Sequence, residues 1–316
     1  LVQAQSFTPS TSNAMTTAAN IAYRVWQDLG KIEPLEEFVA TGGSTTTVAN
    51  GKIADRQDRP EDNYSIDFTA IIVRDAGGAS AAPEGEMQRI SSYASGTYTH
   101  TVDTAFTVAP ASGDYVAIAN SDIPLREMYR ALNNALVKVG EIPLTDTSLT
   151  TSSQKTEYTL PVALKREDLL RVEYQANTGD SDDNDWTPIG DYDVLPAAPG
   201  STALLRIPQI VSGRTIRLTY MGVHPLVSTF SSYISEYIHP AVLIPAVVKE
   251  ALRWWNAVNG GGNQYWLQKE NEAANELEQA LRKHSIWKPR KTPRYFEHNW
   301  GEGTHYDPQL DANNIG

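Results

Sequence analysis

Apolar positions along the chain follow two different periods. From Ala14 they fall at Ala18, Ile21, Ala22, Val25, Trp26 and Leu29, the spacing of one face of an amphipathic helix. Ser10 or Ser12 is positioned to cap its start and Gly30 to end it. A second helical stripe runs through Leu125, Met128, Leu132, Leu136 and Val139, opened by Ser121-Asp122 and Pro124 and closed by Gly140. Between them the pattern changes. Thr45–Val48, Ser65–Val73, Gly96–Thr101 and Tyr115–Ala119 are rich in Thr, Val, Ile, Tyr and Phe, with glycine turns at Gly42-Gly43, Asn50-Gly51, Gly77-Gly78, Ser95-Gly96 and Ser112-Gly113. Short strands at this spacing predict an antiparallel barrel or sandwich, inserted between two helices that belong together.

A second β-rich stretch is predicted at Glu157–Leu160, Leu169–Tyr174, Ala203–Ile207 and Thr215–Tyr220, with a hairpin turn at Ser212-Gly213. The acidic run 179–193 reads as an exposed loop, because like charges repel and its Gly and Pro break structure. Helix returns at Pro240–Val258, apolar on most sides. After the break at Asn259-Gly260-Gly261-Gly262, Asn263 caps a last helix through Leu267, Ala273, Ala274, Leu277, Ala280 and Leu281. The expected fold is therefore α+β: a helical bundle drawn from both ends of the chain, with inserted antiparallel β-barrel or sandwich modules and an extended C-terminal arm. The expected segments are 1–40 (first bundle helix), 41–120 (β module), 121–150 (second bundle helix), 151–230 (second β module), 231–286 (C-terminal helices) and 287–316 (arm).

Composition narrows the chemistry. The 316 residues contain no cysteine, which excludes a disulfide framework, a thiol nucleophile and a Cys-based metal site. With 26 Lys+Arg against 38 Asp+Glu the net charge is −12, unlike a general nucleic-acid binder, which clusters cations to displace phosphate counterions. No segment reaches the ~18–20 apolar residues of a membrane helix; Ala241–Val248 is interrupted by Pro245. Residues 1–17 lack a basic stretch followed by an apolar one, so no signal peptide is expected. A soluble protein of a reducing compartment is the expectation.

Catalytic motifs are not evident. The histidines at 100, 224, 239, 284, 298 and 305 form no HExxH or HxH pair, and neither GxSxG nor GxxxxGK[ST] occurs. The Gly260–Gly262 run precedes a helix without a strand before it, and reads as a hinge. Asp180, Asp182 and Asn184 have the alternation of a calcium loop. Asp185 stands where an EF-hand needs Gly and Asp191 where it needs Glu, so an acidic hairpin tip is the favoured reading. No metal, cofactor or catalytic residue is assigned. Two features favour contact with other proteins instead. Trp254 and Trp255 are adjacent on a helix and point ~100° apart, which makes facing one core awkward for both; one of them is a candidate subunit contact. Downstream, Trp287, Lys288, Arg290, Lys291 and Arg294, then Tyr295, Phe296, Trp300 and Tyr306, combine cations, prolines and aromatics in a segment suited to docking rather than to solvated disorder.

The order of these blocks carries a resemblance. The Thr/Ala-rich first helix leads to TGGSTTTV at Thr41–Val48, the Asn63-Tyr64 strand, Pro110-Ala-Ser-Gly-Asp114-Tyr115, and a helix opening Asp122-Ile-Pro-Leu-Arg-Glu-Met-Tyr-Arg-Ala. Tyr158-Thr-Leu-Pro161, Val172-Glu-Tyr174, Trp186 and Ile216-Arg-Leu-Thr-Tyr220 follow. This resembles virion proteins of tailed bacteriophages, in particular the head–tail connector, or adaptor, of the neck. The resemblance implies a non-enzymatic, ring-forming structural protein joining the portal to the tail, a dodecamer of copies with DNA passing through unbound. Its partners would be the portal protein, by way of the arm Trp287–Gly316, and the next neck or tail protein. Assembly in the host cytoplasm, location in the virion and no membrane are implied with it. A minor tail or baseplate component is the alternative within the same particle, and a glycan-binding or glycan-cleaving module the alternative of another class.

Overall fold

The computed structural model describes residues 16–52, 60–78, 82–153, 155–161, 168–176, 185–196, 201–260 and 263–286. The described chain runs α1 (Ala18–Asp28), β1 (Ile32–Ser44), β2 (Thr47–Asn50), β3 (Thr69–Arg74), β4 (Met87–Ala94), β5 (Thr99–Val102), β6 (Tyr115–Ala119) and α2 (Leu125–Val139). It continues through β7 (Glu141–Thr150), β8 (Glu157–Thr159), β9 (Leu169–Gln175), β10 (Trp186–Pro188), β11 (Asp193–Leu195), β12 (Leu204–Arg206) and β13 (Thr215–Val223) to α3 (Pro240–Val258) and α4 (Gln264–Lys283). The described residues form two compact units, one of 16–142 with 222–286 and one of 143–221.

The first unit is built on a closed antiparallel barrel in the order β1-β2-β5-β4-β3-β6. Its core is Phe38, Ala40, Val48, Ala70, Ile72, Ile90, Val102, Phe106, Val116 and Ile118. Closure depends on β1, which pairs β6 through Val39 and then turns to pair β2. The change occurs at a bulge between Ala40 and Gly42, where Gly42 has φ 139, a conformation L side chains rarely adopt. A Cβ on the next glycine, Gly43, would collide with the Thr47 carbonyl across the hairpin.

The expected bundle from both ends of the chain is not what forms. The fold is mostly β, with thirteen strands and four helices among the described residues. A bundle needs an inward stripe on every helix, and α4 buries only Ala273. α1 and α2 divide their apolar faces between α3 and the barrel, α1 touching β3 and α2 touching β4. The 3.6-residue periodicity was therefore a sign of helices lying on a barrel and on α3, not of helices enclosing a core of their own. The extended arm of the same expectation lies outside the described residues. Helix ends also shifted: Thr17 caps α1, its Oγ1 accepting from Asn20 N–H at 3.3 Å, and Pro124 stands at the start of α2 with no side-chain cap.

The second unit holds a four-stranded sheet, β10-β9-β13-β7, and a three-stranded sheet, β11-β12-β8. They share a core that includes Tyr158, Leu160, Val172, Leu205, Ile216 and Leu218. The acidic run read as a loop contributes strands at both ends of its described part, β10 and β11, because Trp186, Ile189, Tyr192 and Val194 give it apolar anchors that its charge obscured; Ile189, Tyr192 and Val194 are buried. Asp180, Asp182 and Asn184 lie outside the described residues. On the other face of the sheet Arg217 donates to Glu173 through Nε at 2.8 Å and lies 4.2 Å from the Trp186 ring centroid. Arg171 approaches the same carboxylate at 3.4 Å.

Candidate functional site

Three places in the first unit concentrate polar or aromatic chemistry. The first lies within the barrel. Tyr93 on β4 pairs opposite His100 on β5, and their rings stand 4.8 Å apart, with Tyr64 and Phe38 adding ring contacts to the imidazole. Ser65 Oγ lies 3.0 Å from His100 Nδ1. A serine on a histidine suggests an activated nucleophile, but both residues are fully buried. A substrate atom cannot reach the Oγ, so the pair acts as an internal hydrogen bond of the barrel. Burial disfavours the imidazolium and pulls the His100 pKa down to about 4.

Around the outside of the barrel, Glu37 on β1 gathers three donors. Tyr23 of α1 donates at 2.6 Å, Gln27 at 2.9 Å and Tyr115 of β6 at 3.2 Å. Burial and the adjacent carboxylate raise the Tyr23 pKa and push that of Tyr115 up to about 12. Both phenols stay protonated donors at neutral pH, so this cluster fastens α1 to the barrel instead of moving protons.

The third place is the hairpin of α3 and α4. Lys31, which joins α1 to β1, is 8% exposed. Its Nζ donates to Asp122 at 2.5 Å and sits 4.6 Å from the Trp266 ring centroid and 5.2 Å from that of Trp255. One ammonium thereby ties the entry of the barrel to its exit and both to α3 and α4. The indoles take the faces of the cation that Asp122 leaves free. Replacing Lys31 with Met is expected to cost about 2 kcal/mol, the scale of a desolvated cation–π contact, whereas Lys31→Arg retains most of it. Urea midpoints of the two variants check this, and equal midpoints would contradict the role given to the ammonium.

Trp255 and Trp254 thus have different surroundings. Trp255 packs at 6.2 Å on Trp266 and near Lys31, while Trp254, beside it and half-buried, makes no ring contact among the described residues. The hairpin tip exposes apolar surface: Val258 is 62% exposed, Tyr265 57% and Leu267 40%. Further along, α2, α3 and α4 enclose a cavity of about 160 Å³ between Ala135, Val139, Ala246 and Leu277, with the Lys138–Glu250 ion pair at 2.6 Å on its wall.

The sequence singled out Trp254 and Trp255, and missed Lys31, Asp122 and Trp266. Lys31 and Asp122 are 91 positions apart, so nothing local marks them as a pair. Trp287, Lys288, Arg290, Lys291, Arg294, Tyr295, Phe296, Trp300 and Tyr306 lie outside the described residues. Among the described residues no three acids or histidines gather to hold a metal ion, and no helix is long and apolar enough to cross a membrane. Comparison of the chain with models of known protein families and with curated protein sequences gave no match.

Proposed function

We propose that this chain is a structural virion protein of a tailed bacteriophage: an adaptor that forms a ring of identical copies between portal and tail, and lets DNA pass without binding it. The observation that carries the reading is the α3–α4 tip, where Val258, Tyr265 and Leu267 face solvent beside the half-buried Trp254. Apolar side chains left exposed on either side of the turn between two helices, in a chain of which only 20% is charged, suit a surface that other subunits cover. The order of sequence modules that resembles phage connectors supports the same reading. Partners under it are the portal protein, the next neck or tail protein and further copies of the chain. The chain would perform no reaction, and would reside in the virion after assembly in the host cytoplasm.

The glycan-binding alternative gains little from Trp186, whose ring already carries Arg217 on one face. A minor tail or baseplate component would use the same tip with other neighbours.

The test is co-assembly. Purified chain is mixed with portal rings and examined by sedimentation and by averaged micrographs. Full-length chain is expected to decorate one end of the portal. A Val258→Asp, Leu267→Asp double variant and a chain ending at Ile286 are each expected to reduce occupancy at least about ten-fold, the effect of losing ~1.4 kcal/mol. Full-length chain that never joins a portal, or unchanged occupancy in both variants, would overturn the adaptor reading.

A further inference from the structure

The two helices of the α3–α4 hairpin are held together unevenly. At the tip, Asn256 Nδ2 donates to Glu270 Oε2 at 2.7 Å and Trp255 meets Trp266. Along its length α4 buries only Ala273, and its ion pairs Lys269–Glu272 and Glu278–Arg282 stay within the helix. At the opposite end, two histidines meet. His239 immediately precedes α3 and His284 immediately follows α4, and their rings stack with centroids 4.0 Å apart and planes within 9°.

Each histidine also finishes its helix. His239 Nδ1 accepts the Ala241 N–H at 3.1 Å, and the His284 N–H donates to the Ala280 carbonyl at 2.8 Å. Because Nδ1 of His239 is an acceptor, the neutral ring carries its hydrogen on Nε2. That argues against a two-histidine metal site: a metal on Nε2 would force the hydrogen onto Nδ1 and break the cap, and parallel rings do not converge their lone pairs on one point. A proton, in contrast, has only one place to go on His239, the lone pair that holds the cap.

Protonation there has three consequences. Ala241 N–H loses its acceptor. A positive charge appears at the N-terminal end of α3, the positive end of the helix dipole, and the first turn of α3 contains no acid to offset it. The new cation faces His284 and Lys283, the titratable and charged groups of α4's end that bear on it. Partial burial, His284 and Lys283 accordingly hold the His239 pKa below the usual imidazole value.

We propose that the stacked His239–His284 pair is an acid-released clasp, which fastens the open end of α4 to the start of α3 at neutral pH and lets it go as His239 takes up a proton. The sign follows from the lowered value. With the clasp open the imidazole binds its proton near pH ~6.5, and with it closed only at lower pH. The clasp therefore contributes fully above that value and is lost progressively as pH falls below it. With so little of α4 buried, release at this end frees the part of the helix that carries Leu277 and Leu281, which line the cavity against α2 and α3. The proposal does not depend on the adaptor reading, since it concerns only the hairpin of an isolated chain.

Hydrogen exchange of the full chain, read by mass spectrometry at about pH 7 and about pH 5.5 and corrected for intrinsic rates, tests it. Peptides covering residues 273–284 are expected to lose roughly five-fold in protection at the lower pH, the scale of losing one N-cap, while α2 holds its own. His239→Asn keeps a strong capping side chain but cannot titrate, and is expected to abolish the difference. His284→Gln leaves the cap of α3 untouched and is expected to lower α4 protection already at neutral pH. Equal protection of α4 at both pH values, an equal response in His239→Asn, or a loss shared by α2 would overturn the clasp.

Discussion

Trp26→Ala is expected to destabilise the first unit by about 4 kcal/mol. Trp26 is fully buried on α1, and its Nε1 donates to the Ile123 carbonyl at 3.3 Å, across 97 positions of sequence. Ile123 is itself 1% exposed and leads into α2. Truncation removes the apolar contacts of an indole, leaves a cavity between elements that cannot collapse onto it, and strands a buried carbonyl. Trp26→Phe divides these contributions. It keeps most of the packing and loses the donor, and is expected to cost about 1.5 kcal/mol. Urea denaturation followed by far-ultraviolet circular dichroism measures both. A cost below ~1 kcal/mol for the alanine variant would mean that α1 is held elsewhere, chiefly through Tyr23, Gln27 and Glu37.

Acid is expected to remove a further ~3 kcal/mol through His100 alone. In the unfolded chain its imidazole takes a proton near pH ~6.5, whereas in the barrel it resists until about pH 4. Between those values the unfolded state holds more protons than the folded one, so stability falls with falling pH, by up to ~1.4 kcal/mol per unit. The contribution is complete above the upper value and exhausted below the lower. His100→Phe replaces the titrating ring with one suited to stacking among Phe38, Tyr64 and Tyr93, at the cost of the Ser65 hydrogen bond. The variant is expected to be less stable at neutral pH, yet to show a stability–pH curve flatter by ~3 kcal/mol across the window. Parallel curves for the two proteins would show that the imidazole is not the group responsible.

The parts of the fold that were legible in sequence are those decided by neighbours along the chain. The apolar run Pro240–Val258 forms α3 over the same span, and Asn263 caps α4 as its position suggests, its Oδ1 accepting from Tyr265 N–H at 3.0 Å. Tyr115–Ala119 is β6, and Ser212-Gly213 is a turn with Gly213 at φ 83, although it joins β12 to β13 of two different sheets and so closes no hairpin between them. What was not legible depends on distant partners. Glu37 to Ala40 did not read as strand because Glu36, Glu37 and Phe38 break the expected alternation, yet the polar side chains are satisfied by Tyr64, Tyr23 and Tyr115 from elsewhere in the fold. β4 escaped notice because its bulge between Ile90 and Ser92 shifts the period midway. A bundle is what the helical stripes suggest by themselves, because periodicity reports that a face is apolar without saying what covers it. At the hairpin site, Trp254 and Trp255 were conspicuous as a pair, but the cation that organises Trp255 comes from the far side of the barrel sequence.

The barrel's first and last strands are neighbours: Ile32 pairs with Ala119, the Asn120 N–H donates to the Lys31 carbonyl at 3.0 Å, and Lys31 clamps Asp122. Everything between those points, almost ninety residues, enters and leaves through one gap about as wide as the spacing of two paired strands, ~5 Å. To the helices, the insertion is equivalent to a short turn. Loops of the barrel remote from that gap and from the helix-facing side can therefore lengthen, shorten or be exchanged between related genes without altering the distance from α1 to α2. The barrel is a cassette whose remote loops do not set the spacing of the helices that flank it.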